Sequence, residues 1–304
     1  MTAVSPMTEP RIAELLEQTS RTFALAIPLL PEPCRRAVGL AYLAFRVADT
    51  LEDAASWSQA DRVASLEALA ALLVTGDPAP TREPSRRWAD AEPTDHAGYL
   101  ALMRELPELL AAVQALDPEP RRQVLAHARR TASGMAELQQ KHGVDGRLEL
   151  HALDALKAYC YVVAGIVGEL LTELFVAYAP HLHAVAGALR GDQVAFGEAL
   201  QLVNIIKDQH VDVGEGRALI PDSIPRETLI ALAREDLVCG RRYVETLRAA
   251  GAPAGMVAFT QLPLELADAS LAEIERHGPG AKVPRPQVMA LLARAQSLLN
   301  EPNA

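Results

Sequence analysis

Asp49 and Asp53 stand four residues apart in ADTLEDA (48–54), and Asp208 and Asp212 stand four apart in QLVNIIKDQHVD (201–212). On an α-helix this spacing puts both carboxylates of a pair on one face, a turn apart. Arg46, three residues before Asp49, joins the first face. Asn204 extends the second pair into a ladder, Gln201 precedes it by three, and Lys207 stands beside Asp208. Two carboxylates at this spacing repel each other unless something neutralises them. Mg²⁺ does so well, because it prefers carboxylates, waters and phosphate oxygens to a closed protein cage. Arg46, Lys207 and Arg217 are cations that can take further phosphate oxygens.

A solvated helix face is the plainer reading of a single acid pair. Here both pairs adjoin apolar sequence, VGLAYLAFRVAD and ALQLVNIIKD, and buried acids need partners or metal. Spacing alone leaves solvated faces and a metal–diphosphate site both open. Other chemistries lack their residues. No E-x-x-H or H-E-x-x-H occurs, so di-iron and zinc-protease ligands are missing. Neither G-x-x-x-x-G-K-[ST] nor G-x-G-x-x-G is present.

The elements that must carry these residues read as helices. Ala, Leu, Glu and Arg are abundant, aromatics make up 4%, and β-branched alternation is scarce. The expected helices cover 9–29, 34–54, 97–114, 118–141, 150–178 and 192–212, with further helices closing the chain. Pro28 should kink or stop the first. Residues 76–96, with their prolines and charges, are expected to be a surface loop, and 1–8 to be disordered. The whole, 1–304, is expected to be one all-α domain, a bundle of about ten helices.

Half of the 304 residues are hydrophobic, ample for a core. A net charge of −10 argues against non-specific nucleic-acid binding, which needs cations to replace phosphate counterions. Cys34, Cys160 and Cys239 form no C-x-x-C pair, so free thiols in a reducing compartment are expected. MTAVSPMTEPR lacks a signal pattern, which points to the cytoplasm. YVVAGIVGELLTELFVAYA (161–179) is interrupted by Glu169 and Glu173 and reads as a buried helix rather than a membrane span.

Five segments in order resemble the squalene/phytoene synthase family, the head-to-head isoprenoid synthases. They are SRTFALAIPLLP (20–31), AYLAFRVADTLEDA (41–54), GMAEL (134–138), YCYVVAGIVGELLTELF (159–175) and LQLVNIIKDQHVDVGEGRALIP (200–221). The resemblance implies an isoprenoid-synthase helical fold around a central apolar cavity. It implies Mg²⁺-dependent joining of two prenyl diphosphates, with farnesyl diphosphate as the expected substrate. Squalene, reached through presqualene diphosphate and an NADPH reduction, is the first product to expect. Phytoene, dehydrosqualene or released presqualene diphosphate are the alternatives.

By matched position, Asp49 and Asp53 would hold Mg²⁺ on one diphosphate, and Asn204, Asp208 and Asp212 would do so from the opposite side. Arg46, Lys207 and Arg217 would grip phosphate. Ser20, Arg21 and Phe23 match a segment near the donor diphosphate, and Gln201 would line the pocket. Tyr159 matches a tyrosine that assists diphosphate loss or proton transfer. Val163, Ala164, Val167 and Leu171 fall at helical spacing and would form one wall of a dry tunnel, although ordinary core is the plainer reading of such a stripe. Lys207 stands where arginine is common, and Leu219 where an aromatic residue is often found. The apolar product implies transient contact with the inner-membrane face.

Overall fold

The computed structural model describes residues 4–20, 22–144 and 147–300. By internal contacts the chain falls into two compact units, Met1–Ala24 with Arg36–Leu148, and Leu25–Arg35 with Glu149–Ala304. Both are built almost entirely of helices.

In the first unit, α1 (Glu9–Thr19) ends sooner than its apolar pattern predicts. Ser20 turns extended, with φ −139° and ψ 147°. Its Oγ then accepts the N–H groups of Phe23 and Ala24 at 3.0 and 3.2 Å, starting α2 (Phe23–Ala26). The expected helix over 9–29 is therefore broken, because a serine that caps the next turn cannot also continue the previous one. Pro28, in the Leu25–Arg35 segment of the second unit, sits in a 3₁₀ turn, Ile27–Leu29, where its missing N–H is harmless.

α3 (Cys34–Glu52) buries Leu40, Leu43, Val47 and Leu51. α4 (Gln59–Leu72) is capped by Ser58, whose Oγ accepts the Asp61 N–H at 3.1 Å, and it packs on α8. The expected surface loop over 76–96 instead contains α5 (Arg82–Asp90), with Ser85 and Trp88 buried. Burial of the indole outweighs the local charge and proline content. α6 (Ala97–Arg104) and α7 (Leu106–Gln114) replace the single helix expected over 97–114. Pro107 cannot donate to that ladder, and Glu105 at the break takes a two-pronged bond from Arg11 at 2.9 and 2.6 Å. α8 (Pro118–His142) runs into a short hairpin, β1 (Gly143–Val144) and β2 (Arg147–Glu149), paired Gly143 to Leu148.

The expectation of disorder over 1–8 does not hold for residues 4–8. Met7 is buried, and its N–H donates to Glu108 O at 3.0 Å. Burying the Met7 side chain and pairing its amide offsets the entropy of ordering this short arm.

The second unit centres on α11. α9 (Leu153–Cys160) passes through a π-helical turn, Tyr161–Gly165, into α10 (Ile166–Tyr178). This stretch, Leu153–Tyr178, is long and apolar enough to cross a membrane by composition, with a mean hydropathy of 1.8. More than half of that window is nevertheless buried inside the protein, packed on α11 (Ala186–Gly214). Two glycines permit the contact. A Cβ on Gly168 would lie 1.9 Å from Gln193 O, and one on Gly197 would lie 2.1 Å from Ala164 O.

After β3 (Arg217–Ala218), α12 (Arg226–Ala249) and α13 (Ala254–His277) cover α11, and α14 (Arg285–Ser297) packs on α13. Tyr243 of α12 is fully buried, stacked on Phe196 at 5.2 Å and sharing a 2.9 Å hydrogen bond with Thr172. Asp192 is buried and receives both prongs of Arg242, which ties α11 to α12. All three cysteines are free.

Candidate active site

The first acid pair stands where α3 ends. Asp53 N–H still donates to Asp49 O at 2.8 Å, so both acids ride the same helical turn. Arg46, one turn earlier, places Nη1 3.2 Å from Asp49 and donates from Nη2 to Tyr42 Oη at 2.9 Å. Its guanidinium carbon also lies 5.4 Å from the Tyr42 ring centre and 5.5 Å from that of Tyr99. Burial works against the Arg46 charge, but Asp49 and the two tyrosines outweigh it and raise its pKa. Tyr42 in turn donates to Thr19 O at 3.0 Å, and its ring packs 5.6 Å from Phe23. Ser20, Phe23, Arg46, Asp49 and Asp53 thus belong to one neighbourhood in the first unit. Arg21 lies outside the described residues.

The second ladder occupies the last turns of α11. Lys207 Nζ donates to Asn204 Oδ1 at 3.0 Å and lies 3.3 Å from Asp208. Arg217 Nη2 donates to Asp212 at 2.8 Å and to Glu215 at 2.7 Å. Asp212 is nearly buried, whereas the Asp208 side chain is 45% exposed. Gln201 is half-buried one turn upstream of Asn204. Each ladder therefore carries its own cation against an acid: Arg46 on Asp49, Lys207 on Asp208, Arg217 on Asp212.

Among the described residues, no three His, Cys, Asp or Glu side chains gather as a closed metal site. The donors in both ladders are oxygens alone. One or two carboxylates with room for water and phosphate is the set that suits Mg²⁺, so the residues present fit that ion.

Tyr159 is buried at the end of α9, one residue before the buried Cys160. Val163 and Ala164 lie in the π turn, which adds a residue per turn and shifts the register that simple i, i+4 counting assumes. Val163, Ala164 and Val167 are half-buried, and Leu171 belongs to the core. Tyr161 Oη donates to Glu169 at 3.2 Å on the same stretch.

Two features escape a reading of motifs. Tyr99 reaches Arg46 from α6, in a segment with no acid-pair signal. The GPGAKVP segment (278–284) returns to the second ladder, where Gly280 N–H donates to Lys207 O at 2.8 Å. Gly278 and Gly280 hold φ of 88° and 84°, a backbone that side chains resist, and Lys282 follows two residues on. The glycines with a nearby lysine were the available signal.

The chain is similar to known proteins in sequence and in fold. The squalene/phytoene synthase family profile matches residues 16–228. Squalene synthase from Yarrowia lipolytica is 30% identical over 217 residues, covering 70% of this chain and 45% of that protein. Squalene synthase from Saccharomyces cerevisiae is 29% identical over 216 residues, covering 69% and 45%. The matches span under half the length of these curated relatives. Among solved structures, TcSQS with the ligand BPH1237 superimposes with a TM-score of 0.75 at 21% identity, covering 95% of this chain and 87% of that one. A dehydrosqualene synthase complex gives 0.61 at 20% identity, covering 95% of both.

Proposed function

Since the chain belongs to the squalene/phytoene synthase family, we propose that it joins two prenyl diphosphates head to head. Farnesyl diphosphate is the expected substrate, and squalene, by way of presqualene diphosphate, the expected product. The observation that carries the reading is the pair of acid ladders, each on one helical face with its own cation.

In the first step the allylic C–O bond of one substrate breaks, and diphosphate leaves with the bonding electrons. The double bond of the second substrate supplies electrons to the new C–C bond, and loss of a proton from the attacked carbon closes a cyclopropane. Asp49 and Asp53, and Asn204, Asp208 and Asp212, would hold Mg²⁺. When bound, Mg²⁺ supplies positive charge toward the departing diphosphate. Arg46, Lys207 and Arg217 would add fixed cations to the same task, held in place before the charge develops. Lys282, on the segment tied to Lys207, extends that set. Ser20 and Phe23 would border the donor end, and Gln201 the pocket. Tyr159 would assist diphosphate loss or receive the proton. Val163, Ala164, Val167 and Leu171 would keep water from the carbocation.

The two relatives named squalene synthase favour a reduced product, in which NADPH is the two-electron reductant of the second half-reaction. The test is to incubate the purified protein with farnesyl diphosphate and Mg²⁺, with and without NADPH, and identify extracted hydrocarbons by mass spectrometry. Squalene only with NADPH is the expected result. Dehydrosqualene or presqualene diphosphate regardless of NADPH would move the protein to the non-reducing branch, a change to which the buried Leu219 would be relevant. No product from farnesyl or geranylgeranyl diphosphate would overturn the reading.

A further inference from the structure

The first ladder stands in an electrostatically adverse place. The C-terminal end of a helix carries partial negative charge, so Glu52 and Asp53 at the end of α3 add like charge to it. The last turn of α3 contains no basic residue. The compensating cation comes from the next helix. Arg62, on the first turns of α4, is 3% exposed. Its Nη1 donates to Ala54 O at 3.3 Å and to Trp57 O at 3.0 Å, the two carbonyls that bracket the loop leaving Asp53. Burial lowers the Arg62 pKa, and the charges of Glu52, itself buried, and Asp53 oppose that shift.

On its outer side the same loop is anchored by Trp57, whose indole N–H donates to Ala91 O at 3.0 Å. Trp57 N–H also closes a turn onto Ala54 O at 2.9 Å. The loop is thus gripped from within by a guanidinium and from without by an indole. Asp53 is the last residue before it and is exposed. A carboxylate on a loose helix end would sample many directions, whereas one beside a clamped loop is presented in few.

We infer that Arg62 is a positioning residue for Asp53, and so sets the geometry of the first acid ladder without touching substrate. The inference rests on the reading of that ladder as a Mg²⁺–diphosphate ligand. Lysine at position 62 keeps the charge but loses the planar guanidinium that holds Nη1 between the two carbonyls.

The experiment measures Mn²⁺ binding in the presence of inorganic diphosphate, by electron paramagnetic resonance, far below the melting temperature. Four proteins are compared: wild type, Arg62→Lys, Trp57→Phe and Asp53→Asn. Folding of each is checked by circular dichroism. Asp53→Asn should lose the tightest binding, which tests the ladder itself. If wild type binds no Mn²⁺, or Asp53→Asn binds like wild type, the ladder reading fails and the inference falls with it. With that control in place, Arg62→Lys should weaken Mn²⁺ binding by about tenfold, as loss of an outer supporting contact does. A folded Arg62→Lys with wild-type Mn²⁺ affinity overturns the inference. Should Arg62→Lys fail to fold, Trp57→Phe loosens the same loop from its outer side. Weaker binding in that variant supports the clamp, and unchanged binding overturns it.

Discussion

Arg46 lies 3.2 Å from Asp49 while its ring-facing side is held between Tyr42 and Tyr99. The guanidinium therefore does two jobs: it offsets one acid of the ladder, and it fastens α6 to α3 through aromatic faces. Lysine cannot do both, since a point charge neither stacks nor forks. Arg46→Lys should lower stability by about 1–2 kcal/mol, and Tyr99→Leu by a share of that. Urea denaturation of both variants and of the double mutant would show it. Additive losses would mean that the two residues are not coupled.

Asp208 separates function from stability. Its side chain is 45% exposed, and Lys207 lies 3.3 Å from it. Exposed ion pairs contribute between about 0 and 1 kcal/mol, so removing this carboxylate costs little. Asp208→Asn should therefore melt near the wild-type temperature while product formation falls by about a hundredfold or more. A variant with full turnover would remove Asp208 from the site.

Gly197 and Gly168 bring α11 within backbone contact of the π turn and α10. Because a Cβ at Gly197 would sit 2.1 Å from Ala164 O, Gly197→Ala must push the two segments apart. The expected cost is about 1–3 kcal/mol, the range for overpacking a tight contact. Chemical denaturation measures it. A cost near zero would mean that the segments separate freely.

A second acidic cluster makes stability fall between acid and neutral pH. Glu198 and Asp236, with Lys157, line a small cavity of about 140 Å³ among α9, α11 and α12. Burial, then the charge of Asp236, pushes Glu198 up to about 7. Burial likewise pushes Asp236 up to about 6, with Lys157 opposing it. The folded state thus keeps protons that the unfolded chain releases at the ordinary values of 4.5 and 3.8. Stability should be highest below those ordinary values as far as this cluster is concerned, and fall as pH rises through 6 to 7. Glu198→Gln should flatten that part of the curve. Melting temperatures taken across this range for both proteins would test it, and identical slopes would refute the role of Glu198.

The acid ladders and the helices that bear them are legible from spacing alone. Apolar periodicity with a carboxylate every fourth residue is a local property, and local hydrogen bonding turns it into a face. The all-α class follows from composition in the same way. What spacing does not contain is any contact between segments far apart in the chain. Ser20 reads as part of a long helix until its hydroxyl is seen capping Phe23 and Ala24. Residues 82–90 read as loop because their charges are local, whereas the burial of Trp88 is not. Met7 is ordered by Glu108, Arg46 is framed by Tyr99, and Gly280 is tied to Lys207, each across scores of residues. The π turn at Tyr161–Gly165 likewise has no local periodic signature. The sequence names the residues that carry charge. Packing decides which neighbours hold that charge and in what direction it points, because burial and desolvation depend on every segment that closes around a side chain.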